Sequence, residues 1–418
     1  MNNFAITFLV ITSFALLFLP RRWAPLPLLI GACYITRYQS IEIEPFHFTV
    51  LRLLIIAGLV RVLIRGERLE GGMNGLDRLM LIWAVSMIVT SCLHKNPSEA
   101  VINRSGLIFD ACGIYFLLRI FYRSLDDINN LCVFTSILLL PVAVEMIYEK
   151  YTAYNLFSEF SGGSVLYIRE GHIRAQGPFA HAILAGTVGA VCLPLMIGIW
   201  HQHRNAAMVG VMVCMVMIIS SSSSGPILSA FASSGALFMW RYREQRQLRF
   251  IRWFAVITYV ALDVVMKDPA YFLMARIDLV GGSAGWHRSR LIQSSIKHLS
   301  EWWLYGTDYT RHWMPSGVSW SPEHTDITNH YLQQGVDGGL PLMLLFIAIL
   351  FKGFSIVGQT VRQSADLPQE HRFMIWALGA SLFSHAVTFI SVSYYDQSFL
   401  FIYLTLAAIG SAGSENVS

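Results

Sequence analysis

The sequence predicts an all-α polytopic membrane protein, and three observations carry that expectation. Of its 418 residues, 55% are hydrophobic and only 13% charged, whereas soluble domains carry roughly a quarter charged. The chain offers a dozen apolar runs, each near the roughly 20 residues that a helix needs to cross a hydrocarbon core of about 30 Å. The runs are continuously apolar rather than alternating. Backbone groups in lipid must pair within their own segment, so such runs are helices and not barrel strands.

In chain order the runs occupy residues 3–19, 25–36, 47–64, 78–94, 103–122, 128–148, 180–200, 206–222, 225–240, 249–266, 331–352, 372–391 and 396–412. The second is short enough to be re-entrant, which gives twelve or thirteen transmembrane helices. The first, Phe4 to Leu19, is followed by Pro20-Arg21-Arg22 with no small-residue cleavage site, so it reads as a retained helix rather than a signal peptide. Apart from the serine run Ser220–Ser224, no repeat, linker or low-complexity segment divides residues 1–418, which read as one membrane domain. The six cysteines (Cys33, Cys92, Cys112, Cys132, Cys192 and Cys214) lie in or beside apolar runs without metal-ligand spacing, and read as packing residues.

Lys and Arg in short loops mark the cytoplasmic side. Arg21 and Arg22, then Arg65, Arg68 and Arg78, then Arg119 and Arg123, and then Arg204 fall on alternate connections. The cluster Arg241, Arg243, Arg246, Arg249 and Arg252 shares that side, as do Lys352, Arg362 and Arg372. Two longer connections, 149–179 and 267–330, therefore face outward, the second lying between the tenth and eleventh runs. Both carry arginines against the bias: Arg169, Arg174, Arg276, Arg288, Arg290 and Arg311. Phosphate is the natural counter-charge. The second connection also holds Trp286, Trp302, Trp303, Tyr305, Tyr309, Trp313 and Trp320. An interfacial belt accounts for any one of these aromatics; the group, mixed with Arg and His, points to a sugar- or headgroup-binding surface.

Three constellations bear on chemistry. Arg174-Ala175-Gln176-Gly177-Pro178-Phe179-Ala180-His181 precedes a helix whose free N–H groups favour an anion, with Arg169 in front of it. The blander reading is a charged helix start resting on lipid phosphates. Next, Arg288, Leu291, Ile292 and Ser295 share one face at helical spacing. Arg288 then begins an amphipathic helix, suited to bidentate phosphate contacts or, with Arg290, to simple snorkelling. Third, if residues 324–333 are helical, Asp326, Asn329, His330, Gln333 and Asp337 form one polar stripe leading into an apolar helix. Polar groups at that depth mark a site or pathway unless they merely pack against the loops. Arg52, Asp110, Glu145 and Asp263 are expected to pair structurally within the bundle, and His385 to be a hydrogen-bonded packing residue.

These constellations, in this order, resemble the O-antigen ligase/polymerase superfamily of bacterial membrane glycosyltransferases. An R-x-x-G-x-F-x-H run is matched by Arg174, Gly177, Phe179 and His181. A later Arg, with a Leu and then a Gly at set distances, is matched by Arg288, Leu291 and Gly306. The H-N-x-Y-L motif and the Gly/Pro/Leu cluster after it are matched at Asn329, Tyr331, Leu332, Gly339, Leu340 and Pro341. The resemblance covers roughly residues 165–350. Two departures mark a divergent subfamily. Thr328 occupies the position of the family's His, with His324 and His330 to either side, and Ser222-Ser223-Ser224-Gly225 lacks the Arg of an S-x-S-R-G motif.

The resemblance implies a GT-C-like fold in the bacterial inner membrane, with a site facing the periplasm. It implies an undecaprenyl-pyrophosphate-linked glycan donor, attacked at the anomeric carbon without metal or other cofactor. The acceptor would be a growing glycan, lipid A–core or a protein hydroxyl, with a polysaccharide polymerase slightly favoured over a ligase. Arg169, Arg174, His181, Arg288, Arg290 and Tyr331 would bind substrate; His330, Asp326 and Asn329 would serve the acceptor. The principal rival is a transporter or flippase, which predicts internal repeats and paired broken helices that the sequence does not announce. A structural scaffold would leave the outer arginines without a purpose.

Overall fold

The computed structural model describes all residues except 164–165, 244, 267, 277–278, 280–284, 316, 319–320, 364–365 and 416–418. Trp320 therefore lies outside the described residues, as do the side chains of Arg246, Arg249 and Arg252. The fold is all-α.

The first half runs through α1 (Asn3–Phe18), α2 (Pro25–Tyr34), α3 (Val50–Arg65), α4 (Gly75–Ser91), α5 (Pro97–Phe121) and α6 (Leu125–Thr152). A hairpin of β1 (Ser40–Ile43) and β2 (Phe46–Thr49) sits between α2 and α3. The short α7 (Phe157–Ser161) and a hairpin of β3 (Ile168–Arg169) and β4 (His172–Ile173) occupy the connection to α8 (Ala182–Gly198). Next come α9 (Arg204–Ser220), α10 (Ser224–Phe238) and α11 (Gln245–Val265). The long connection folds into α12 (Leu273–Arg276), α13 (Gly285–Lys297), α14 (Leu299–Trp302) and a bulged hairpin of β5 (Gly317–Val318) and β6 (Ser321–Thr325). The chain closes with α15 (His330–Gln363), α16 (Gln369–Thr388) and α17 (Phe399–Glu415).

Helix starts follow local chemistry. Asn74 and Asp77 form a reciprocal capping box on α4, Ser124 caps α6, and Pro25 and Pro97 stand in first turns where their missing N–H costs nothing. The helix α8 is apolar on every face and buried on nearly all of them, packed against α9, α10 and α16. Its glycines permit this closeness: a Cβ at Gly189 would meet the Cys214 carbonyl oxygen at 2.8 Å.

Three helices, α5, α6 and α15, are long and apolar enough to cross a membrane, and α1, α8, α9 and stretches of α11 and α17 are shorter apolar helices. Large apolar side chains point outward from several of them and from α3, among them Phe14, Phe18, Leu63, Ile64, Val144 and Val265. Some charges in the interior pair with one another. Arg52 holds Asp110 through two nitrogens at 2.8 and 2.9 Å, and Arg119 and Tyr115 converge on Asp77. His385 bonds the Tyr394 hydroxyl at 2.9 Å. Glu145 accepts from the Leu156 N–H and Asp263 from the Ala270 N–H, so these two serve backbone rather than a cation.

Two features depart from expectation. First, α15 is broken: Gly338 (φ −161°, ψ 22°) and Gly339 (φ 77°, ψ −178°) leave helical geometry, so a discontinuous helix does exist. Second, the long connection has its own small core of Leu291, Trp302, Trp313, Met314, Ile327 and Val336. Trp302 and Trp313 are therefore packing residues rather than members of an exposed sugar-binding surface, whereas Trp286, Trp303, Tyr305 and Tyr309 remain exposed.

Candidate functional site

The Arg174–His181 run is held by its backbone. The Glu149 carboxylate accepts from the N–H groups of Gln176 and Gly177, both at 2.9 Å, and Asn155 donates to the Gly177 carbonyl at 2.8 Å. Gly177 has φ 57°, and a Cβ there would press on Met146 and Glu145, so both backbone and space favour glycine. Phe179 is buried in the main core, and His181 caps α8 by accepting from the Ile183 N–H. Arg174 is left to project toward the turn between α9 and α10, donating to the Ser223 hydroxyl at 2.6 Å, while its buried Nε has no partner. Lys150 reaches the same turn, donating to the Ser222 hydroxyl at 2.8 Å. A cation thus stands at the serine turn although the sequence there has no arginine.

Residues 389–397, between α16 and α17, collect the three constellations. The Arg288 Nε donates to the Ser391 carbonyl at 3.0 Å. His330 N–H donates to the Phe389 carbonyl at 2.8 Å, and the Asn329 amide to the Ile390 carbonyl at 3.3 Å. Ser393 donates to the Ile327 carbonyl, Asp396 accepts from the Ala180 N–H, and Gln397 donates to the Pro178 carbonyl. Arg37, from the connection after α2, donates to the Tyr395 carbonyl at 2.9 Å and lies 5.7 Å from its ring.

The result is a concentration of positive charge. The Arg288 pKa is lowered to about 10, chiefly by burial and then by the neighbouring charges of Arg169 and Arg174, with Asp326 opposing them. Arg174 is lowered by burial and then by Arg169. His181 lies within electrostatic reach of both Arg174 and Arg169, and its ring sits 4.5 Å from Tyr167. Asp326 is the acidic side chain that acts on Arg288 among the described residues.

The remaining expected site residues are placed differently from the stripe. Helix α15 begins at His330, so residues 326–329 lie outside any helix and Asp326 is not one helical turn before His330. Asp326 faces solvent, yet the protein packed around its carboxyl raises its pKa, an effect countered by His287 and then Arg288. Asn329 caps α15 by accepting from the Leu332 N–H at 3.0 Å. His330 enters an aromatic box, stacked 4.7 Å from Phe389, with Phe346 at 5.1 Å and Tyr394 at 6.0 Å, and its buried Nδ1 has no partner. Gln333 donates to Asp337, which also pairs with Arg104 at 3.4 Å, away from the arginine cluster. Tyr331 ties α15 to α16 through the Ala386 carbonyl at 2.8 Å. Arg290 lies over Trp286 and Phe272, each 5.7 Å from its guanidinium carbon, and lines a separate cleft with Trp286, Gln293 and Lys297.

The sequence reading passed over Arg37, Lys150, His287 and the 389–397 segment. Arg37 and Lys150 look like ordinary flanking charges, and residues 389–397 look like the seam between two apolar runs. Comparison with protein-family models returns no match, and neither does comparison with curated proteins.

Proposed function

We propose that this chain is a polytopic membrane glycosyltransferase that transfers or polymerises an undecaprenyl-pyrophosphate-linked glycan on the periplasmic face of a bacterial inner membrane. The observation that supports it most directly is that Arg169 and Arg174, from one connection, and Arg288, from another, lie within electrostatic reach of one another, with Asp326 the acidic side chain acting on Arg288 among the described residues. A pyrophosphate has the charge and the oxygen geometry that such forks match. Outward apolar side chains and three helices of crossing length favour a bilayer setting.

In this reading the acceptor hydroxyl attacks the anomeric carbon of the lipid-linked sugar. The bond from that carbon to the pyrophosphate oxygen breaks, and undecaprenyl pyrophosphate leaves with the electron pair. The arginines stabilise the charge that grows on the leaving group. His287, within electrostatic reach of both Asp326 and Arg288, is better placed than the enclosed His330 to take the hydroxyl proton. The acceptor is a growing glycan or lipid A–core.

The broken α15 gives the transporter or flippase alternative one feature in its favour. Purified chain in vesicles with an undecaprenyl-pyrophosphate oligosaccharide separates the two. Elongated or transferred glycan with release of undecaprenyl pyrophosphate is expected; translocation of intact donor with no new glycosidic bond would replace the enzyme with the transporter.

A further inference from the structure

Away from the arginine cluster, three side chains of the long connection meet at one point. His298 precedes α14, Glu301 lies within it, and His312 sits in a 3-10 turn at Arg311–Trp313. The His298 Nδ1 and a Glu301 carboxylate oxygen are 2.7 Å apart, and the His312 Nε2 lies 2.9 Å from the other oxygen. One donor atom from each of the three residues falls within 4.8 Å of the others.

We propose that His298, Glu301 and His312 form a binding site for a divalent transition-metal ion of the zinc kind, which staples α14 to the turn at Arg311–Trp313. Two imidazole nitrogens and one carboxylate suit zinc, copper, nickel or cobalt rather than calcium or magnesium, which take oxygen ligands. Ligand bonds of about 2.0–2.1 Å in a tetrahedron place donors about 3.3 Å apart, so each imidazole must part from the carboxylate by about half an ångström and the two imidazole nitrogens, within 4.8 Å of each other, must settle at the same spacing. All three residues are partly open to solvent, which leaves a fourth position for water.

Their surroundings hold the ligands in place. The Trp313 indole N–H donates to Glu301 at 3.2 Å, Tyr309 stacks on His312 at 5.0 Å, and Trp313 stacks on His298 at 6.2 Å. Supports of this kind orient metal ligands in built sites. The staple closes the stretch 303–311, whose first residues seat in the break of α15: Leu340 N–H donates to the Trp303 carbonyl and Thr307 N–H to the Val336 carbonyl. Occupancy would therefore steady the segment that plugs the broken helix. The site stands whether or not the chain is a glycosyltransferase.

The test is calorimetric titration of zinc chloride into the untagged, chelator-stripped full chain in detergent. One zinc ion per chain is expected, with affinity lowered at least tenfold in Glu301→Gln and His312→Ala and unchanged in His203→Ala, a remote exposed histidine. Cobalt(II) added to the unaltered chain should give the intense visible bands of a four-coordinate site. Zinc binding that is unchanged in both ligand variants overturns the proposal. So does an unaltered chain that takes up no zinc below millimolar concentrations, or cobalt with only weak octahedral bands. Because the cobalt spectrum needs no variant, misfolding of His312→Ala does not shelter the proposal.

Discussion

Gly306 lies flat against the main chain of Val336: a side chain at position 306 would overlap the Val336 carbonyl oxygen, which accepts from Thr307 N–H at 2.9 Å. One turn further on, a Cβ at Gly339 would press into the Leu304 carbonyl, and Leu340 N–H donates to the Trp303 carbonyl at 2.8 Å. The break at Gly338 and Gly339 frees backbone groups of α15, and residues 303–307 satisfy them. His94 braces the strap by bonding the Tyr305 carbonyl and Asp308. Two glycines far apart in sequence are thus a single joint.

Gly306→Ala should destabilise the protein by about 3 kcal/mol, since φ is 94° and the added carbon meets backbone that cannot rotate away. Gly235→Ala is the control: it lies in α10 with open space around it, and should be neutral or stabilising within about 1 kcal/mol. Denaturant-dependent unfolding in detergent measures both. Equal effects would mean that the joint is loose.

The thirteen apolar runs correspond closely to helices, because continuous hydrophobicity over such lengths has few other solutions. Arg174, Gly177 and His181 were also legible as a group, since a glycine beside a helix start dictates local geometry. The polar stripe was not. Helical spacing joined Asp326 to His330 and Asp337, but His330 N–H bonds Phe389 and Asn329 caps the helix, so α15 starts too late to include Asp326. Residues 389–397 were invisible for a similar reason. Their role is played by carbonyl groups, which every residue type offers alike.

Cysteine labelling checks the orientation read from the arginines. Cys92 is exposed, while the other cysteines are buried or half-buried, so an impermeant maleimide added outside should modify Cys92 in the unaltered chain. In a Cys92→Ser background, Glu323→Cys should be modified and Met73→Cys spared. The reverse pattern would place the arginine cluster in the cytoplasm and remove the periplasmic donor from consideration.

Arg288→Lys should reduce product nearly as much as Arg288→Ala, by tenfold or more. The Arg288 Nε is committed to the Ser391 carbonyl, and in the proposed reading the two terminal nitrogens are the fork that holds the pyrophosphate. An ammonium supplies charge but neither the anchor nor the fork. Product is read in cells at matched protein levels. Recovery of more than about half with lysine would reduce Arg288 to a general electrostatic contributor.

The last prediction concerns the base. His330 is enclosed by Phe389, Phe346 and Tyr394, and nothing in that box carries a charge to orient it. His287 is different: its pKa is lowered below the ordinary 6.5, chiefly by burial, with Asp326 raising it and Arg288 lowering it. It is therefore neutral near pH 7 and able to accept a proton. The His330→Phe variant should keep most product, because the ring remains packed, whereas His330→Ala opens a cavity and lowers stability. His287→Ala and Asp326→Asn should each cut product at least tenfold. A neutral base loses activity as pH falls through its pKa, so the acid limb of the rate profile should lie below 6.5. Removing the Asp326 charge withdraws support for the imidazolium and lowers the His287 pKa, so in Asp326→Asn that limb should move to still lower pH. Loss of product in a well-folded His330→Phe, with an acid limb that Asp326→Asn leaves in place, would return the proton to His330 and leave His287 as a packing residue beside Arg288.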